Sequence, residues 1–399
     1  MPLTPHDEQH LQRALDLAQA AVGLASPNPT VGCVLTSSTG EVLGEGAHHY
    51  DAFDHAEIAA LKQATARGHD VHGATAYVTL EPCAHHGRTG PCSDALIAAG
   101  IARCVVAAID PNPLTRNLGL AKMREAGLTV DVANRNSPLA QQARHLNDAF
   151  AFSIQHHRPF VTLKAALSVD GKLAPPPRTR ATIAPHWITG TAARADAQQL
   201  RHTSDAILTG IGTVLADNPS LTDRTALPRR RPLLRVVLDS ALRTPLTSTL
   251  VTTAAVQSQG ADLLILCSED TIHAPTNRAA ALTAAGAEVL RIPSASNHLD
   301  PQAALAALAQ RNILSVLVEA GSNINGTLLR ADFVDKLVFY YAESELGLDA
   351  VSFAANYDSP YAVQQRLTQT TRATFPSDLA PNAEDIRITG YLHDPWSGA

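Results

Sequence analysis

Apolar residues recur at Leu11, Ala14, Leu15, Ala18 and Val22, three or four positions apart, so the chain opens with an amphipathic helix. Thr4-Pro5 starts it, with proline at the first position and acids in the first turn, and Gly23 ends it. Ser26-Pro27-Asn28-Pro29 is a rigid turn. Apolar runs over 30–36 and 41–46 flank Ser37-Ser38-Thr39-Gly40 and predict a hairpin. A helix follows from Asp54, a strand over 74–80 and a short helix over 93–100 that Gly100 stops. Next come a strand over 103–109, the turn Asp110-Pro111-Asn112-Pro113, a helix over 118–126, a last strand over 128–132 and one helix over 137–153. Strands that alternate with helices make this an α/β sandwich.

His156-His157-Arg158-Pro159 reads as a boundary, which gives expected domains over 1–155 and 156–399. The second begins with a strand over 160–166. A proline-rich loop follows from Ala174 to Pro185, which cannot be a helix interior or a central strand. A helix over 192–201 and strands over 205–209, 233–238, 262–267, 288–292, 313–318 and 337–341 predict a second α/β domain. Arg229-Arg230-Arg231 reads as a solvated loop.

A length of 399 residues suits two domains. Aromatics are only 4%, so the cores must be aliphatic and rich in alanine. The net charge of -6 argues against a nucleic-acid partner, since such surfaces are normally basic. No apolar run approaches the length needed to cross a bilayer, and the N-terminus has neither a basic nor an apolar leader region. Cys33, Cys104 and Cys267 lie in apolar runs and read as buried free thiols, which fits a reducing cytoplasm.

The chemistry concentrates between His55 and Cys92. His55-Ala56-Glu57 is followed by Pro82-Cys83 and Pro91-Cys92, one imidazole and two thiols. This is the ligand set of a catalytic zinc with a fourth position open to water, and Glu57 stands where the proton shuttle of zinc-dependent base deaminases is needed. Helical residues turn by about 100° each. His55 and Glu57 therefore reach one site only if the helix starts there, with Asp54 or His55 as the non-helical cap. The loop between the cysteines is longer than the simplest deaminase signature and holds His85, His86 and Arg88.

These motifs, together with Val161-Thr162-Leu163-Lys164, Ser168-Val169-Asp170-Gly171-Lys172, Trp187-Ile188-Thr189-Gly190, Gly212-Thr213-Val214-Leu215-Ala216-Asp217-Asn218-Pro219 and Leu238-Asp239-Ser240, closely resemble the bifunctional deaminase/reductase of riboflavin biosynthesis. The resemblance covers nearly the whole chain, is dense to about residue 240 and includes the long loop between the cysteines. It implies a cytidine-deaminase-like α/β/α sandwich, which removes an exocyclic amino group from a phosphoribosylated pyrimidine. It also implies a dihydrofolate-reductase-like α/β domain, which uses NADPH to reduce the ribosyl ring to a ribityl chain. Asn28 and His85 would contact the pyrimidine. Lys164, Arg201, Leu221, Arg224 and Glu319 would face the second substrate. Ala166, Trp187, Thr213, Asp217, Ser240, Gly321, Ser322, Asn323 and Thr327 would hold NADPH. The family also implies a homodimer or larger homo-oligomer. One physical signal supports the cofactor site: Val318-Glu319-Ala320-Gly321-Ser322 runs from a strand through glycine into a helix, where free N–H groups can hold a phosphate.

The second domain departs from the family pattern at three places. Pro185 stands where a serine is common, Ala320 where a glycine is, and Glu343 and Glu345 lie near an expected Pro-Lys pair. These departures motivate a rival reading, a deaminase whose C-terminal domain binds nucleotide or substrate but is impaired as a reductase. A zinc-containing binding protein without catalysis is a third reading, against which His55, Glu57, Cys83 and Cys92 stand.

Overall fold

Thr4 caps the first helix, Pro5–Ala20 (α1), by a reciprocal box: its Oγ1 accepts from the Asp7 N–H at 3.2 Å, and Asp7 Oδ2 accepts from the Thr4 N–H at 2.9 Å. The computed structural model describes residues 3–87, 90–176, 187–257, 260–270, 277–295, 298–357 and 359–397. The chain divides into two compact units: Met1–His157 with Pro228–Arg230 and Pro395–Ala399, and Arg158–Leu227 with Arg231–Asp394.

In the first unit the strands are Gly32–Thr36 (β1), Val42–Ala47 (β2), Thr75–Val78 (β3), Arg103–Val106 (β4) and Thr129–Val132 (β5). Their order is β2-β1-β3-β4-β5, with antiparallel pairs around β1 and parallel pairs from β3 to β5. Leu11, Ala14, Leu15 and Ala18 bury the apolar face of α1. Gly32 lets β1 come close to it, since a Cβ there would lie 2.0 Å from the Ala14 carbonyl oxygen. Helix Ala56–Ala66 (α2) covers the opposite face, where Gly44 plays the same part against the Ala60 carbonyl. Helices Cys92–Ala98 (α3), Leu118–Glu125 (α4), Pro138–His145 (α5) and Asp148–His156 (α6) complete the layers.

The single helix expected over 137–153 is two helices. Asn147 breaks it: its Oδ1 accepts from the Thr30 N–H at 2.7 Å, and its Nδ2 donates to the carbonyls of Thr30 (3.0 Å) and Ala143 (3.1 Å). A buried side chain that serves a distant strand in this way competes with helix continuation. The solvated loop expected at Arg229-Arg230-Arg231 is also corrected. Arg230 donates from Nε to Asp51 at 2.8 Å and lies 4.0 Å over the Tyr50 ring, and Arg231 Nη2 donates to the Asn312 carbonyl at 2.7 Å.

Among the described residues, the second unit is built on one sheet of nine strands. In spatial order they are Glu288–Ile292, Leu263–Ser268, Leu234–Leu238, Ala206–Gly210, Ser315–Val318, Phe160–Ser168, Lys336–Ala342, Glu384–Tyr391 and Thr368–Pro376. All neighbours are parallel except the last two pairs. The central strands are buried on both faces, which explains their near-continuous apolar sequences. Val161, Leu163, Val316 and Phe339 feed one core, and Ile207, Val237, Ile265 and Leu317 the other. Cys33, Cys104 and Cys267 are free and buried, as expected. Among the described residues, no helix is long and apolar enough to cross a membrane.

Candidate functional site

His55 is the N-cap of α2, with extended backbone (φ -73°, ψ 163°), and Glu57 sits in the first helical turn. This is the arrangement that lets both side chains meet one site. Cys92 opens α3 behind the N-cap Pro91, and its N–H donates to Cys83 Sγ at 3.3 Å. Ser93 fixes the Cys83 loop by donating from its N–H and its hydroxyl to the Cys83 carbonyl, at 3.1 and 3.0 Å. His55 Nδ1 then lies 3.6 Å from Cys83 Sγ and 3.2 Å from Cys92 Sγ, and all three ligand atoms fall within 4.8 Å of one another. In a zinc tetrahedron, bonds of about 2.3 Å to sulfur and about 2.0 Å to nitrogen place N and S about 3.5 Å apart. The three residues therefore fit zinc. His55, Cys83 and Cys92 are the one His/Cys/Asp/Glu group of this kind among the described residues, and a fourth protein ligand that would close the site is missing from it.

The electrostatics suit the same use. The hydrogen bond between the two thiols pushes Cys83 well down toward thiolate and Cys92 up. Glu57 is buried and touches Cys92. Burial, followed by the charge of Cys83, pushes its carboxyl up to about 7.

Two residues to which the sequence alone assigns no role organise this site. His48, buried, bonds through Nδ1 to the Asp54 carbonyl at 2.8 Å and through Nε2 to Asn28 Nδ2 at 3.0 Å. A carbonyl can only accept and an amide nitrogen can only donate, so Nδ1 carries the proton and Nε2 accepts. The His48 ring also packs edge-on against His55 at 5.2 Å. Asn28 is thus held beside the ligand histidine. Glu81 accepts four backbone N–H groups, from Asp110 (3.1 Å), Asn117 (3.0 Å), Gly119 (3.1 Å) and Leu120 (3.4 Å), and so fastens the 110–120 segment next to Pro82-Cys83. Neither role has a local sequence signal, because every hydrogen-bond partner but Asp54 is at least 20 positions away. His85 is exposed on the loop between the cysteines, and Arg88 lies outside the described residues. A separate cavity of about 320 Å³ lies at the other ends of β3, β4 and β5, but the Asp7–Arg103–Asp131 ion network already occupies its charged wall.

In the second unit, Lys164, Arg201 and Glu319 come together. Arg201 grips Glu319 with two parallel bonds (Nε 2.9 Å, Nη2 3.0 Å) and donates from Nη1 to the Thr222 carbonyl at 2.9 Å. Lys164 Nζ stands 3.9 Å from Glu319 Oε2 and 5.7 Å over the Tyr340 ring. Burial alone would raise the Glu319 carboxyl, but Lys164 and then Arg201 outweigh it and hold it at about 2. Burial pushes Lys164 below its ordinary value, against the pull of Glu319. Arg224 adds to the field on Glu319 and is exposed, and Leu221 is buried nearby in the chain with a left-handed backbone.

Of the proposed cofactor residues, Ala166, Ser240 and Gly321 lie near the C-terminal ends of parallel strands. Gly321 is the N-cap of helix Ser322–Arg330. A Cβ at Gly321 would meet nothing closer than Thr213 Oγ1 at 3.9 Å, so the helix start is open and Thr213 stands beside it. Ser322 and Asn323 begin the helix. This open cradle with N–H groups fits a phosphate of a nucleotide. Asp217 ends helix Ile211–Asp217, Ser240 follows strand Leu234–Leu238, and Ala166 lies on strand Phe160–Ser168. Trp187 is half exposed, with Arg194 4.8 Å over its ring. Thr327 stands apart from the helix start, its Oγ1 accepting from Arg330 at 3.4 Å. Glu343 and Glu345 are exposed, and Pro185 lies outside the described residues.

Comparison with known proteins covers both units. Residues 4–108 match the zinc-binding region of cytidine and deoxycytidylate deaminases, and residues 159–376 match the RibD C-terminal domain. The chain is 40% identical over 356 residues to the riboflavin biosynthesis protein RibD of Escherichia coli, covering 86% of this chain and 89% of that one. It is 36% identical over 399 residues to RibD of Bacillus amyloliquefaciens, covering 98% of each. Among solved structures, Acinetobacter baumannii RibD superposes with a TM-score of 0.75 at 32% identity, covering 96% of this chain and 99% of that one. A diaminohydroxyphosphoribosylaminopyrimidine deaminase/5-amino-6-(5-phosphoribosylamino)uracil reductase of Thermotoga maritima does so with 0.74 at 29% identity, covering 96% and 99%.

Proposed function

The chain belongs to the RibD family, and from that premise we propose how its two units carry out successive steps of riboflavin biosynthesis. The first unit is the deaminase and the second the reductase. The deaminase hydrolyses 2,5-diamino-6-(5-phosphoribosylamino)pyrimidin-4-one to 5-amino-6-(5-phosphoribosylamino)uracil and ammonia. The reductase then converts the ribosyl group to ribityl. The observation that carries this is the pairing, on one chain, of the His55–Cys83–Cys92 group beside buried Glu57 with the Lys164–Glu319–Arg201 cluster.

Zinc, held by His55 Nδ1 and the sulfurs of Cys83 and Cys92, supplies Lewis-acid activation of the attacking water. Glu57 moves the protons: its carboxylate takes one from the water, passes it to a ring nitrogen and serves again as ammonia leaves. Asn28, its amide oriented by His48, holds the pyrimidine edge, and His85 closes over it from the loop. In the second unit, NADPH supplies the hydride. Gly321, Ser322 and Asn323 hold its phosphate at the helix start, with Thr213, Asp217, Ser240, Trp187, Ala166 and Thr327 completing its site. Lys164, oriented by Glu319, holds a proton at the ribose oxygen that is released as the ring opens. Arg201 spends its fork on Glu319, which leaves the exposed Arg224 to meet the substrate phosphate.

The same proposal includes assembly as a homodimer or larger homo-oligomer, which light scattering would test, and residence in the cytoplasm, which the free thiols support. The test of function is one coupled assay. The diaminopyrimidine substrate with NADPH should release ammonia and consume NADPH in equal amounts. Ammonia without NADPH consumption would instead identify a deaminase carrying a silent second domain.

A further inference from the structure

The segment after helix Ile211–Asp217 is held in an unfavourable shape. Asn218, Leu221 and Ala226 all have left-handed backbones (φ 42°, 51° and 58°), and only Asn among these types adopts that region readily. Such conformations persist where surrounding contacts over-determine them. Here the last turns of helix Thr191–His202 grip three consecutive residues. Arg201 Nη1 donates to the Thr222 carbonyl at 2.9 Å, His202 Nδ1 meets Asp223 Oδ2 at 3.0 Å, and Gln198 Oε1 accepts from the Arg224 N–H at 3.1 Å. The Gln198 contact is exposed and Arg201 belongs to the Glu319 cluster. The His202–Asp223 pair is buried, with side chains 5% and 7% exposed. A carboxylate only accepts, so His202 Nδ1 carries the proton. Asp223 Oδ1 also accepts from the N–H (2.9 Å) and the hydroxyl (2.7 Å) of Thr225, which ties the far side of the segment to the same carboxylate.

We propose that His202 and Asp223 are positioning residues for the reductase, setting the strained 218–226 segment so that Leu221 and Arg224 meet the phosphoribosyl substrate. The pair acts on substrate affinity, not on hydride transfer or on cofactor binding. This rests on the reductase reading of the second unit.

The experiment uses the full chain, with 5-amino-6-(5-phosphoribosylamino)uracil and NADPH varied separately. Asp223→Ala and His202→Ala should each raise KM for the ribosyl substrate at least tenfold, with kcat and KM for NADPH within about threefold and ammonia release unchanged. Asp223→Asn and His202→Asn retain a donor–acceptor pair and should recover most of the affinity. An unchanged KM in both alanine variants would overturn the proposal. So would equal losses in kcat and both KM values, or failure of both to fold, since either makes the pair merely structural; one folded alanine variant suffices to read the split. No NADPH oxidation by the wild-type chain would instead break the reductase reading.

Discussion

The two units solve the same problem, placing a few reactive side chains, by opposite routes. The deaminase unit takes its ligands and its proton carrier from two helix starts, with His55 and Glu57 on one and Cys92 on the other, and Cys83 tied to Cys92 by a backbone bond. The reductase unit collects Lys164 from the middle of strand Phe160–Ser168, Arg201 from the last turn of helix Thr191–His202, and Glu319 and the Gly321 helix start from the connection after strand Ser315–Val318. The first site is a local constellation stiffened by a metal. The second is a long-range charge cluster in which each member compensates another. The contrast predicts that lesions in the first unit are chemically clean, whereas lesions in the Lys164–Glu319–Arg201 cluster mix binding, chemistry and stability.

The largest effect should come from removing the metal. A strong chelator, or Cys92→Ala, should abolish ammonia release and leave NADPH oxidation of the deaminated substrate untouched. Loss of both activities would break the separation. Next, Glu57→Gln should retain zinc, read by metal analysis, while lowering ammonia release by about 1000-fold, within the usual worth of a positioned acid–base. Glu319→Gln should behave differently. It leaves Lys164 and Arg201 as buried charges without their partner, and breaking such a pair costs about 3 kcal/mol or more. Both reductase turnover and the melting temperature of the second unit should fall, with ammonia release retained; a loss confined to turnover would show that the cluster is not the support described here.

The smallest effect should appear in acid. The Glu319 carboxyl sits at about 2 in the folded unit, against about 4.3 for an ordinary glutamate. A depressed carboxylate stabilises the fold above its unfolded value, and that contribution is lost as pH falls from about 4.3 through about 2. Acid unfolding of the second unit should therefore steepen in that window and lose this component in Glu319→Gln. An identical acid profile in the variant would contradict the assignment.

The same contrast explains what could be read from sequence. His55, Glu57, Cys83 and Cys92 are legible because helix geometry and metal chemistry dictate both residue type and spacing. The buried parallel strands announce themselves as apolar runs. Asn147 does not announce that it breaks a helix, because its partner is Thr30, far away in the chain. Strand Thr368–Pro376 is exposed at the sheet edge and lacks an apolar alternation to reveal it. His48 looks like any histidine after a strand until Asn28 and the Asp54 carbonyl are seen on its two nitrogens. In the reductase unit, Lys164 inside strand Phe160–Ser168 and Glu319 just after strand Ser315–Val318 are ordinary residues for their places. A resemblance to a family points to them, and their mutual distance is a property of the fold.

One chain holds two independent sites that act in sequence. The most direct measurement supplies Glu57→Gln with 5-amino-6-(5-phosphoribosylamino)uracil and NADPH, and separately with the diaminopyrimidine. NADPH oxidation should run at the wild-type rate in the first case, and in the second both ammonia release and NADPH oxidation should fall about 1000-fold. Wild-type NADPH oxidation from the diaminopyrimidine, or its loss with the deaminated substrate, would show that the two sites do not act in this order.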